Sequence, residues 1–150
     1  MRALFVIGRA LFGGFFAYNG INHFLQRESM SQYAAGKGVP QPGAAVRATG
    51  AMLFAGGTSV IVGLKPRQGL AAIIAFLIPT TLQMHRFWEI DDPQMRMVEM
   101  TQFAKNVALI GAALALMQLD EPWPSSIDSA RTEEEMFVHL GGRDLRALPV

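Results

Sequence analysis

The chain has no cysteine. That excludes disulfides, thiolate metal sites, iron–sulfur clusters and thiol redox relays built from its own residues. Charge is scarce too, at 17% of 150 residues, and nearly balanced at net +1. No basic surface points to nucleic acid, and no nucleic-acid partner is expected. Apolar residues fill the space, at 51% of the chain with a mean hydropathy of +0.25. The few charges crowd into connections and the C-terminal tail, the pattern of a chain whose main partner is a lipid bilayer.

Four segments approach the roughly 20 residues needed to cross a bilayer: residues 3–25, 44–64, 69–88 and 103–119. They are long, rich in Ala, Leu, Ile and Met, and show no alternation, so helix is expected throughout. The fourth is short unless its helix begins near Pro93, where Asp92 could cap it. The first carries Arg9, Asn19, Asn22 and His23 and lacks a small-residue cleavage site, so it reads as a retained span. The expected fold is an all-α membrane protein. A four-helix transmembrane bundle covers residues 1–119, and a short soluble tail follows over 120–150.

Connections differ in kind. Lys65-Pro66-Arg67-Gln68 is a tight polar turn, whereas residues 26–43 form a long link. Gly36, Gly38, Pro40, Pro42 and Gly43 exclude one continuous helix there. Residues 89–102 are also long and contain Asp91-Asp92-Pro93. The tail is expected to leave the membrane at Pro122-Trp123-Pro124. A capping box at Thr132-Glu133-Glu134-Glu135 then opens a short amphipathic surface helix with Met136, Phe137, Val138 and Leu140, stopped by Gly141-Gly142.

Small residues mark where helices approach. Ala51, Ala55, Ser59 and Gly63 are spaced by four in the second span, as are Gly13 and Ala17 in the first. Pro79 frees the carbonyl of Ala75 from its helix bond. The resulting bend is expected to turn His85 toward the bundle interior, with Thr80 and Thr81 resatisfying the backbone.

Span alternation puts the end of spans one and three and the start of spans two and four on one membrane face. That face collects Asn19, Asn22, His23, Arg47, Thr49, His85, Arg86, Trp88, Lys105 and Asn106, beneath both long connections. Ionisable groups inside a membrane mark function by default. The structural alternative is that Asn19, Asn22 and Gln83 merely tie helices together. Arg9 lies near enough to its own helix end to snorkel. The candidate ligand-binding residues are His23, Thr49, His85, Trp88, Lys105 and Asn106. No His/Asp/Glu spacing suits a metal. A b-type haem would need both His23 and His85 as axial ligands; membrane histidines more often find hydrogen bonds, so haem is not expected.

At these residues the chain resembles the DoxX family of small four-span bacterial membrane proteins. The matching pieces are Tyr33-Ala34-Ala35-Gly36-Lys37-Gly38-Val39-Pro40, Gly56-Gly57 with Gly63, His85-Arg86-Phe87-Trp88, and Phe103-Ala104-Lys105-Asn106 with Gly111. The resemblance spans residues 9–117 and implies a multi-pass protein of the bacterial inner membrane associated with redox chemistry. Related subunits belong to thiosulfate:quinone oxidoreductase. One departure is Leu53, where many members carry Glu.

The expected function is a redox-associated subunit that binds quinone or a similar small molecule. The ring would stack on Trp88 or Phe87, with His85, His23 or Lys105 at its oxygens. Electrons would need a partner subunit of a membrane oxidoreductase complex, or a cofactor. The alternative is a non-enzymatic scaffold or assembly partner of such a complex. Transport is disfavoured, because four spans without an internal repeat leave little room for alternating access. Arg2, Lys65, Arg67, Arg131, Arg143 and Arg146 share one side, and the compact Lys-Pro-Arg turn points to cytoplasmic termini.

Overall fold

The computed structural model describes residues 2–144, which leaves the tail's Arg146 outside the described residues. Six α-helices follow in order: α1 (Arg2–Leu25), α2 (Arg27–Gly36), α3 (Pro42–Val62), α4 (Pro66–Met84), α5 (Pro93–Leu116) and α6 (Ile127–Asp144). A single 3₁₀ turn, Phe87–Glu89, joins α4 to α5, and there is no strand among the described residues. Three helices are long and apolar enough to cross a membrane: α1, α3, and α4 with its extension to Glu89. The fourth expected span is α5. It has 24 residues, about 36 Å at 1.5 Å per residue, but Arg96, Glu99 and Lys105 make its first half polar. Its start follows the local chemistry: Pro93 opens the helix, and Asp92 accepts the Met95 N–H at 2.7 Å.

The bundle is ordered α1–α3–α4–α5, with α2 laid across one end against α3. Phe16, Leu53, Val60, Leu70, Ile73 and Leu77 fill the centre. Helices α1 and α3 approach most closely, through glycines. A Cβ at Gly57 would stand 2.5 Å from the Gly13 carbonyl oxygen, and one at Gly20 would stand 2.5 Å from the Phe54 nitrogen. Gly56 meets the Gly69 carbonyl of α4 in the same way, on another face of α3. The expected line of small residues is therefore partly displaced. Ala51 and Ala55 are exposed, while Gly50, Gly56 and Gly57 make the contacts. A lipid-facing helix is apolar all round, so spacing alone does not identify its inner face.

The bundle end that holds the α1 N-terminus is closed by the tail. Pro122-Trp123-Pro124 does not lead the chain away as expected: Trp123 is fully buried, its ring edge-on to Phe5 at 5.3 Å. Arg9 is 4% exposed and donates to the Ser125 carbonyl, with its guanidinium 5.9 Å over Phe5. It also lies against Gly63, the left-handed residue (φ +67) that ends α3, where the last carbonyls of that helix carry partial negative charge. Arg9 is thus held by the tail beside the end of α3 and does not snorkel to water. Tail acids cap α4: Asp128 accepts the Lys65 N–H at 2.8 Å and Glu121 the Arg67 N–H at 3.1 Å.

Helix α6 begins five residues before the expected Thr132. Ser126 and Ser129 exchange side-chain and backbone hydrogen bonds at 3.0 Å, satisfying the same orphan donors that the later box would serve. Thr132 sits inside the helix, its hydroxyl donating to the Asp128 carbonyl. Gly141 and Gly142 do not end it, since α6 runs to Asp144. Met136, Phe137 and Val138 are exposed.

Candidate functional site

The opposite end of the bundle carries the polar cluster. Residues 26–43 are not simply a loop: Arg27–Gly36 form α2, which stops at Gly36, and Gly38 adopts φ +76 beyond it. Helix α2 and the Val39 segment after it roof a cavity of about 260 Å³. Met30, Tyr33, Ala34 and Val39 contribute from the roof, and Val46 and Thr49 from α3. A second cavity of about 140 Å³ lies deeper, bordered by Phe16, Asn19, Leu53, Lys105 and Asn106. His23, Phe76, Thr80 and His85 border both, so the two spaces adjoin across these four side chains.

Both imidazoles are fixed through Nδ1. His23 Nδ1 lies 2.8 Å from the Asn19 carbonyl oxygen, one turn back on α1. A carbonyl only accepts, so this nitrogen carries the proton. The ring also meets Phe76 edge-on at 5.9 Å. His85 is the residue at which α4 ends, its N–H still donating to the Thr81 carbonyl. Its Nδ1 is 2.7 Å from Glu99 Oε2. The other oxygen of Glu99 is 3.6 Å from Lys37 Nζ. Glu99 thus accepts from the Nδ1–H of His85 through one oxygen and faces Lys37 with the other. In both rings Nε2 is the nitrogen left for a ligand.

Further bonds hold α2 in place over the cavities. Gln83 donates to the Lys37 carbonyl at 2.5 Å and accepts from Arg86 at 2.6 Å. Arg86 also pairs with Glu89 at 3.4 Å. The chain Arg86–Gln83–Lys37–Glu99–His85 ties the end of α2 to α4 and α5. Gln83 therefore does tie helices together, whereas the Asn19 amide turns back to the Phe15 carbonyl of its own helix.

Of the six residues expected at the site, five border the cavities. His23, Thr49 and His85 face the outer one, and His23, His85, Lys105 and Asn106 the inner one. Lys105 is nevertheless exposed and donates to Gln102 at 2.7 Å. Asn106 is 5% exposed, and its amide makes no hydrogen bond to the described residues. Trp88 stands apart from both cavities. It is 49% exposed and packs edge-on with Phe87 and Phe103, at 5.2 and 5.9 Å. Arg47 is exposed and Asn22 borders neither cavity.

Glu99 is the residue that sequence reasoning missed. It is 8% exposed, a buried acid at the polar end of the bundle, whereas Leu53 is buried among apolar side chains. A signal was present: the buried residues of α5 are Glu99, Asn106 and Ala113, seven apart and so on one helix face. Once Asn106 is read as facing inward, Glu99 follows two turns earlier.

Residues 4–86 match the family model DoxX. No curated protein and no solved structure matches the chain.

Proposed function

The chain belongs to the DoxX family and is an integral membrane protein built on apolar helices; from that premise we propose that it is a redox-associated subunit binding a quinone or a similar small ring. The observation that carries this reading is the pair of adjoining cavities divided by two imidazoles. Their apolar walls, Phe76, Val39, Val46, Met30 and Met84, suit a ring and the start of its tail. His23 and His85 are the polar groups that the ring's oxygens would meet. Phe76, bordering both spaces, takes the stacking role that the sequence suggested for Trp88 or Phe87. With no cysteine in the chain, electrons would pass to or from a partner subunit.

Detergent-purified protein is expected to bind a quinone analogue, with His85→Ala and Lys105→Ala each weakening binding several-fold by titration. Unchanged affinity in both variants would remove the ligand from this site. The assembly reading keeps one supporting feature. Helix α5 packs chiefly on α4 and leaves Met95, Met97, Val98 and Met100 exposed. Absence of quinone binding, together with recovery of a stoichiometric partner from native membranes, would favour that reading instead.

We further propose a bacterial inner-membrane location with both termini cytoplasmic, which opens the cavities toward the outer face. Lys65 and Arg67 flank the tight turn beside the tail, the kind of short basic loop that best reports orientation. A C-terminal tag is expected to resist protease in intact spheroplasts and to be cleaved only after lysis. Cleavage in intact spheroplasts would reverse the orientation.

A further inference from the structure

We infer that the junction of the two cavities selects the reduced, hydroxyl-bearing form of the ring, a quinol, over the oxidised quinone. This rests on the quinone reading of the site and adds which redox form it holds. The argument is one of donors and acceptors. A quinol presents two O–H donors, whereas a quinone presents two carbonyl acceptors.

Three side chains shared by both cavities carry polar groups, His23, His85 and Thr80, and the two imidazoles decide the preference. Each has spent its Nδ1–H, one on the Asn19 carbonyl and one on the Glu99 carboxylate. What each neutral imidazole has left is the Nε2 lone pair. A hydroxyl donates to that lone pair, but a carbonyl oxygen is repelled by it. Lys37 matters here, because its ammonium, 3.6 Å from the other Glu99 oxygen, gives the carboxylate a counter-charge from outside the ring. Thr49 adds to the bias: its hydroxyl already donates to the Ala45 and Val46 carbonyls, so it offers a ligand only lone pairs.

Donors do exist at the margins. Lys105 is exposed and held by Gln102, and Tyr33 lies at the half-open roof. Inside, the Thr80 hydroxyl and the buried Asn106 amide serve either form alike, because each has both a donor and an acceptor. Thr80 and Asn106 do not discriminate, so the bias where the cavities meet comes from the two imidazole Nε2 acceptors on two different elements.

The test uses the full chain in detergent, with a short-tailed benzoquinol under anaerobic conditions and the corresponding benzoquinone, each by equilibrium titration. The quinol is expected to bind about tenfold tighter, the scale of one well-made hydrogen bond gained in place of a repulsive contact. His85→Asn and His23→Asn each retain a side-chain N–H near the Nδ1 position and remove Nε2. Each is expected to bring the ratio of the two affinities toward one, by weakening the quinol more than the quinone. Equal binding of both forms by the parent chain, or tighter binding of the quinone, overturns the inference and leaves the quinone reading standing. A preference that survives both substitutions also overturns it, since Nε2 would not be its source. Failure to bind either form overturns the quinone reading itself.

Discussion

Replacing Gly57 by leucine is expected to keep α1 and α3 from docking, and with them the bundle. A Cβ at residue 57 would meet the Gly13 carbonyl oxygen at 2.5 Å and press on the backbone nitrogen of Ala17. Both obstacles are backbone, so no side-chain rotation relieves them and the helices must part. Overpacking costs about 1–3 kcal/mol in forgiving cores and more where nothing can yield. Here the loss is compounded, because helices in lipid gain no hydrophobic attraction and rely on close contact. Net stabilities are only about 5–15 kcal/mol, so a cost at the upper end is a large fraction. The expected result is aggregated or poorly recovered protein on size exclusion, with Gly57→Ala intermediate in thermal stability. Gly14→Leu is the control, since a Cβ there meets nothing within 4 Å. A Gly57→Leu protein that melts with the parent would mean that α1 and α3 do not pack through this contact.

Glu99→Ala is expected to be the most damaging single change at the polar end. It strips the acid from between Lys37, at 3.6 Å, and His85, at 2.7 Å. Breaking a buried charge pair by removing one partner costs about 3–5 kcal/mol, because the other charge is left uncompensated. The lower end applies, since the Lys37 side chain keeps 28% of its exposure and some of its water. Stability in detergent is expected to fall by about 3 kcal/mol, read by denaturant titration. Quinone-analogue affinity is expected to fall with it, since His85 and the end of α2 lose their anchor. Glu99→Gln should separate the effects. Its amide oxygen still accepts from His85 Nδ1–H, whereas Lys37 loses its counter-charge. Adding Lys37→Met to Glu99→Gln is expected to restore part of the stability, since the unpaired cation is then gone. If Glu99→Ala were as stable as the parent, the triad would contribute nothing to holding the lid.

Much of this was legible before any coordinates, and the reasons are specific. Runs of apolar residues showed three membrane-capable helices, and α5 begins at Pro93, the earlier of the two starts open for a fourth span set at 103–119. Alternation of spans brought His23, Thr49, His85, Lys105 and Asn106 to one end because it depends only on chain direction. What alternation could not supply was rotation about each helix axis. Trp88 was misplaced because α4 ends at Met84, and the helical phase that would have aligned it with His85 is lost in the turn that follows. Glu99 was read as part of a connection, since its neighbours are polar and only the helix start at Pro93 fixes its face. Helix α2 was hidden by its low apolar content; its order comes from contact with α3 and the bonds around Lys37. The α6 boundary was ambiguous locally, with two segments able to cap one helix.

The clasp of the tail over Arg9 has a consequence for how the chain comes to be made. Arg9 and its acceptor on Ser125 are 116 residues apart. At about 5–20 residues per second of synthesis, roughly 6–23 seconds separate their appearance from the ribosome. Throughout that interval the first helix sits in or beside the insertion machinery with a guanidinium that has not met its partner. The turn before α4 likewise lacks its acidic caps until Glu121 and Asp128 emerge. That end of the bundle is thus completed only after the spans between have been made, although Arg9 precedes them in the chain. Its closure is a step that only a chain translated past Asp128 can take.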